Sequence, residues 1–387
     1  MQFSQNILLT LTKNDKSVLK FLMQDASMGD SDIGRKLKLS AQAIKKIRKK
    51  LEGNGVITGY TPILNYGSFG LGILSLFLIK VTPNGWKLIK NMKGEKEFSN
   101  SIPNIIEVYK TQNTEKTHII ICGFRNRNEL IEYLNIIQPK LNNFIEIKES
   151  YNFPVDNIIK DSFATTISTL LDSDIDFSKP WTIDELLKKQ IKIKKSENVN
   201  SLVEFSENKK GVLKQLIRDC RIRDTKIADS LAITAKAVGK IKKKLESRGI
   251  IKGYSIDINF DKLGFNAFAI AFIEPVMENW HILRKKGILK YMMHPNIIKS
   301  YNLTSEKYAV FFIFKNLDEL DRFFHEFQIK LSRYFNIRDI FVISSKGIIK
   351  NSSSELMVQM MDGNKNIKSK MELSMYLTLV KNMALKK

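Results

Sequence analysis

The chain has 387 residues but only two cysteines, Cys122 and Cys220, and four histidines, His118, His281, His294 and His325. Two cysteines make neither a disulfide framework nor a zinc site, and no histidine stands at metal-ligand spacing from another ligand. Cys122 falls in an apolar strand and Cys220 continues the helical stripe of Leu213 and Leu216, so both read as buried thiols. There is no paired-carboxylate motif and no glycine-rich phosphate loop. No apolar run reaches the length of a membrane span, and the first residues lack the basic, apolar and small-residue order of a signal peptide. A reducing, cytoplasmic setting with no membrane partner is expected. Acidic side chains are also scarce: 40 against 63 basic ones, a net charge of +23. That surplus favours a polyanion, because each neutralised phosphate releases counterions.

What the chain does have is a repeat. Ser40–Tyr60 (SAQAIKKIRKKLEGNGVITGY) returns 194 residues later as Thr234–Tyr254 (TAKAVGKIKKKLESRGIIKGY), with 12 of 21 positions identical. Identity of that extent implies an internal duplication. Ser40 and Thr234 suit helix N-caps. Ile44, Ile47 and Leu51 form an apolar stripe, as do Val238, Ile241 and Leu245. Gln42, Lys45, Lys46 and Lys49 point away from the first stripe; Lys236, Lys240 and Lys243 point away from the second. Gly55 and Gly249 suit C-terminal stops, and Val56-Ile57 and Ile250-Ile251 begin short strands. Ser31–Leu37 and Asp224–Leu231 supply a short helix before each basic helix. Short helix, tight turn, basic helix and β wing spell a winged helix-turn-helix, which places its second helix in the major groove of DNA. A solvated lysine face is the alternative reading.

The expected fold is α+β: two winged helix-turn-helix domains alternating with two ferredoxin-like βαββαβ domains. The expected boundaries are 1–64 and 205–258 for the winged helices, and 65–151 and 259–345 for the sheet domains. A partly helical connector occupies 152–204, including helices over Ile158–Leu171 and Thr182–Lys195. A tail over 346–387 carries an amphipathic helix at Ile367–Leu385. Within the first sheet domain the pattern predicts strands at Gly72–Val81, Ile105–Gln112, Lys116–Phe124 and Ile145–Ser150. Helices are predicted over Trp86–Asn100 and Arg127–Leu141. Trp86 and Trp280 occupy matching positions, where a core anchor and a ligand wall are both open.

The runs Leu51-Glu52-x-x-Gly55-Val56-Ile57-x-Gly59-Tyr60 and Leu245-Glu246-x-x-Gly249-Ile250-Ile251-x-Gly253-Tyr254, followed by Gly70 and Gly264, resemble the Lrp/AsnC family of bacterial and archaeal transcription regulators. The resemblance covers about residues 12–150 and 206–345; an archaeal source fits it. It implies a sequence-specific DNA-binding regulator, not an enzyme, with no cofactor and with both recognition helices in the major groove. A weakly specific, nucleoid-type DNA-binding protein built of the same parts is the alternative. Residues carried to DNA are Ser40, Gln42, Lys45, Lys46, Arg48 and Lys49 in the first copy, and Thr234, Lys236, Lys240, Lys242 and Lys243 in the second. Glutamine suits adenine, whereas lysine suits guanine or phosphate, so Gln42 against Lys236 implies unlike half-sites. The family pairs its sheet domains, which here implies an internal pseudo-dimer, or else pairing with a second chain. A small-molecule effector is left unassigned, because the turns Asn113–Thr117 and Thr304–Tyr308 lack the family's Gly and Asp. Sirohaem decarboxylases share the layout and use His and Arg side chains, but no His-Arg cluster is visible here.

Overall fold

The computed structural model describes residues 11–92, 94–102, 104–161, 205–279, 294, 296–351 and 354–361. The expected helices at Thr182–Lys195 and Ile367–Leu385, together with Trp280 and His281, lie outside the described residues.

The chain opens with three helices, α1 (Lys13–Gln24), α2 (Asp30–Leu37) and α3 (Ala41–Gly53), and a strand, β1 (Ile57–Leu64). Thr12 caps α1 in a reciprocal capping box with Asp15. Val18, Leu19, Leu22, Ile33, Ile44 and Leu51 meet in the core of this bundle. Five strands follow: β2 (Ile73–Val81), β3 (Ile105–Lys110), β4 (His118–Phe124), β5 (Ile145–Pro154) and β6 (Ile158–Asp161). Helices α4 (Pro83–Asn91) and α5 (Glu95–Ser101) lie between β2 and β3, and α6 (Arg127–Leu141) between β4 and β5.

The same order recurs in the second half. It runs α7 (Glu207–Arg218), α8 (Asp224–Leu231), α9 (Ala235–Ser247) and β7 (Ile251–Ile258). Then come β8 (Ala267–Pro275), β9 (Ile297–Thr304), β10 (Lys307–Phe314), α10 (Leu317–Leu331), β11 (Phe335–Ser344), β12 (Ile348–Asn351) and α11 (Ser354–Met361).

The two sheets are antiparallel, in the orders β12-β3-β4-β2-β5 and β6-β9-β10-β8-β11. They stack face to face. Alternation along each strand sends Leu74, Leu76, Leu78, Ile119 and Ile121 inward from the first sheet, against Phe268, Ile270, Phe272, Phe311 and Ile313 from the second. Ring pairs tie the layers: Tyr109–Phe311 at 5.4 Å, Phe153–Tyr301 at 5.6 Å and Tyr151–Phe272 at 5.7 Å. The outward residues of the first sheet, among them Phe77, Ile120 and Phe124, pack under its own helices. Phe312 and Phe314 of the second sheet pack under α10 through Phe323 and Phe324.

Several sequence expectations need correction. The single helix over Trp86–Asn100 is two: Thr82 caps α4 ahead of Pro83, and Gly94, at φ 120°, starts α5 anew. Ile158–Leu171 does not begin as a helix, since Ile158–Asp161 is strand β6 and pairs with β9 of the other half. Strand β5 passes the expected boundary at 151 and ends at Pro154. The tail expected from 346 begins with β12, which pairs with β3 of the first half. Each sheet thus takes its edge strand from the other half of the chain. The wing is also different. β1 pairs with β7 in a two-stranded antiparallel sheet, Tyr60 opposite Ile256 and Pro62 opposite Tyr254, so each half's wing strand is completed by the other's.

Candidate nucleic-acid interface

In each half the turn between the second and third helices is built alike. Lys38 and Ala232 close their helices in the left-handed region, at φ 57° and 52°. The N–H groups of Leu39 and Ile233 then donate to the carbonyls of Gly34 and Ala228. Ser40 Oγ accepts from Ala43 N at 3.1 Å, and Thr234 Oγ1 from Ala237 N at 3.1 Å, so both residues are N-caps as their sequence positions indicate. Both helices run 13 residues and stop before a glycine of positive φ, Gly55 at 68° and Gly249 at 65°. Ile44, Leu51, Val238 and Leu245 are fully buried, fixing which face each helix turns outward.

The outward face is basic. Gln42, Lys45, Lys46 and Lys49 of α3 are exposed, as are Lys236, Lys240 and Lys243 of α9. Gly239 stands where α3 has Lys45, thinning the charge on the second helix.

Two of the carried-over contacts face elsewhere. Arg48 sends Nε and Nη2 to both carboxylate oxygens of Asp30, at 3.1 and 3.0 Å, and Nη1 to Glu52 at 2.7 Å. Asp30, the foremost cause, and Glu52 hold its guanidinium charged well above the ordinary arginine range. Lys242, its counterpart, reaches Asp224 at 3.0 Å. The reason is angular: Arg48 follows Ile44 by four residues and precedes Leu51 by three, so it flanks the buried stripe rather than opposing it. That signal was in the sequence. Lys50 likewise turns back, to Asp15 at 2.7 Å.

The two bundles are locked together. Arg221, in the loop after α7, donates to the carbonyls of Ala26 and Met28 at 3.2 and 3.4 Å and lies 3.4 Å from Asp30. The Ala26 N–H donates to Tyr254 O, and the Cys220 N–H donates to Tyr60 O. Tyr60 and Tyr254 donate their hydroxyls to Glu52 and Glu246, residues of the basic helices themselves. Each basic helix is therefore braced by its own wing strand, which is paired to the other half.

Elsewhere, His118 is buried with Nδ1 3.0 Å from Thr117 Oγ1, and His294 is buried against Phe323. His325 is exposed. Trp86 lies 5.7 Å from the His118 ring and under the Lys110 ammonium at 4.6 Å. The turn at Asn113 is held by its own side chain, which accepts from Glu115 N and Lys116 N at 2.8 Å. Among the described residues no group of three His, Cys, Asp or Glu is placed to hold a metal, and no helix is long and apolar enough to cross a membrane.

Residues 11–58 match the family model for winged helix-turn-helix DNA-binding domains. The N-terminal unit is a winged helix-turn-helix. Among curated proteins, the HTH-type transcriptional regulator LrpA of Pyrococcus horikoshii is 43% identical over 70 residues, 18% of this chain and 50% of that protein. The chain thus spans about half the length of that relative. The uncharacterized HTH-type transcriptional regulator PF1734 of Pyrococcus furiosus is 28% identical over 123 residues, 32% of this chain and 78% of that protein. Among solved structures, the siroheme decarboxylase NirDL superposes with a TM-score of 0.51 at 11% identity, covering 91% of this chain and 99% of its own. That likeness is one of fold, and it extends over both halves.

Proposed function

We propose that the chain is a sequence-specific, double-stranded DNA-binding transcriptional regulator of the Lrp/AsnC type, in which duplication has fused two units into one polypeptide. The stacked sheets form an internal pseudo-dimer, and both basic helices enter the major groove. The observation that carries this reading is the capped helix α3 inside the winged helix-turn-helix. Its front of Gln42, Lys45, Lys46 and Lys49 is exposed, and its counterpart α9 exposes Lys236, Lys240 and Lys243. The regulators matched in sequence support it. Ser40 and Thr234 serve as caps, Arg48 and Lys242 hold the helices in place, and the remaining seven residues face DNA. Gln42 against Lys236 makes the half-sites unlike, and their separation is expected near one helical turn, roughly 10 base pairs, or a multiple.

The test is selection of bound sequences from random duplexes at near-physiological salt. A bipartite motif with unlike halves about a turn apart is expected, with cognate DNA bound ~10³-fold or more above random DNA. Binding without a motif, lost steeply as salt rises, would replace a regulator with a nucleoid-type protein. No binding, with a tetrapyrrole retained by the purified protein, would move the reading to an enzyme like the structural neighbour NirDL, which has also been solved in co-complex with an iron-uroporphyrin III analogue.

A further inference from the structure

Among the described residues, a buried ion pair lies between the two stacked sheets. Lys299 Nζ of β9 donates to Glu107 Oε1 of β3 at 2.5 Å, and their side chains are only 9% and 6% exposed. Lys299 also donates to Asn351 Oδ1 at 2.7 Å, and Tyr109 donates its hydroxyl to Glu107 Oε2 at 2.6 Å. The two partners occupy the same place in the two halves. Glu107 lies opposite Ile121 of β4 on one side and Asn351 of β12 on the other. Lys299 lies opposite Phe311 of β10 and Asp161 of β6. Ile121 and Phe311 in turn face Leu76 and Ile270 at matching points of β2 and β8. A residue that touches its own equivalent sits on the axis relating the two sheets, so in a pairing of two identical units it would face a copy of itself.

We infer that Glu107 and Lys299 are a pairing-specificity lock: they admit the other half of this chain as sheet partner and reject a second copy of the same half. First half against first half would bury two carboxylates together, and second against second would bury two ammonium groups. A buried ion pair adds little net stability over apolar residues, but leaving either charge unmatched is costly, which suits it to choosing partners. The other polar contacts across the sheets do not discriminate. Lys116 reaches Asp339 across the interface and Glu149 in its own half, and both halves carry an acid at that point of the last long strand. Lys307 reaches Tyr151, just as Lys116 lies over the ring of Phe341. Among these contacts across the sheets, position 107/299 is the one that reverses sign between the halves. The lock acts when the first half has been synthesised and the second has not. At that stage, exposed Leu74, Leu76 and Ile121 would otherwise pair with another nascent first half. The lock depends on the equivalence of the two sheets and not on DNA binding.

The experiment uses the full chain as Glu107→Lys, as Lys299→Glu, and as the double exchange Glu107→Lys/Lys299→Glu, each followed by thermal unfolding and light-scattering mass. Each single variant should lose about 5–10 °C in melting midpoint, and the double exchange should regain most of it as a monomer. The two single variants, co-expressed with different tags, should co-purify one to one, because each like-charged chain finds its complement only in the other. Two differently tagged wild-type chains should not. Single variants that melt like wild type would overturn the lock. So would a double exchange no more stable than the singles, or co-purification no greater for the variant pair than for wild type.

Discussion

Removing Arg48 separates a brace from a DNA contact. Arg48→Ala deletes two bonds to Asp30, at 3.1 and 3.0 Å, and one to Glu52 at 2.7 Å. Hydrogen bonds to charged groups contribute about 1.5–3 kcal/mol each when well shielded. Here the side chains of Arg48, Asp30 and Glu52 keep 17%, 18% and 33% of their exposure, so solvent screens part of that. The abandoned acids are not left alone: Arg221 stays near Asp30, and the Tyr60 hydroxyl still donates to Glu52. The net loss should be about 2 kcal/mol of unfolding free energy, read as a lowered urea midpoint. Lys49→Gln is the control. Its side chain is exposed, so stability should change by less than about 0.5 kcal/mol. Its loss should instead flatten the plot of log affinity against log salt by ~0.9 if it meets one phosphate. Fluorescence anisotropy on a labelled duplex from 50 to 200 mM salt, a range on the order of that used for such slopes, gives both slopes. An Arg48→Ala protein as stable as wild type, with its salt slope cut as in Lys49→Gln, would refute the bracing role.

Three further outcomes are expected. Gly85→Ala should cost about 1–3 kcal/mol in urea unfolding, because a Cβ there would lie 2.1 Å from the Phe144 carbonyl oxygen and 2.8 Å from Val81 Cγ1. Glu95 is held down to about 2 by His118, 3.8 Å away, and by Lys110 at 2.7 Å. The unfolded carboxyl, near 4.5, therefore binds more protons than the folded one between those values, and stability rises with pH across that window. Urea midpoints measured from pH 5 to 2.5 should fall less steeply in Glu95→Gln than in wild type (a range of about one proton). Burial pushes the Cys122 and Cys220 thiols up to about 12. A disulfide reagent at mildly alkaline pH should therefore label neither in the native protein and both in urea; fast native labelling would contradict their burial.

Local signals made the helices legible. Thr12, Ser40, Thr234 and Asn126 each cap a helix through a side-chain oxygen, and the sequence marks the starts of α1, α3, α9 and α6 by those residues or their neighbours. The apolar stripes set the buried faces, and α6 runs Arg127–Leu141 as its periodicity indicates. Strands β2 and β4 were equally plain, because strands buried on both faces read as unbroken apolar runs. Of the eleven DNA-facing residues expected, the exposed lysines and Gln42 were placed by helical angle. Arg48 and Lys242 flank the buried stripe, as the helical angle already shows; their ion pairs escape the pattern, because Asp30 and Asp224 lie 18 residues earlier, where no helical period reaches.

The features made between the halves escaped the sequence for one cause: their information is not local. Strands β6 and β12 are four residues each, too short to show a period, and they exist because an unpaired edge on the opposite sheet accepts them. β1 and β7 show alternation, but nothing in either strand states that its partner lies across the repeat rather than in a hairpin. The sign reversal at Glu107 and Lys299 is visible in the aligned repeat, yet it gains meaning only when both are found on the axis between the sheets. A repeat aligned for identity discards such positions as divergence. The contact across the axis singles them out, because two copies that must recognise each other can differ to advantage where each residue meets its own counterpart.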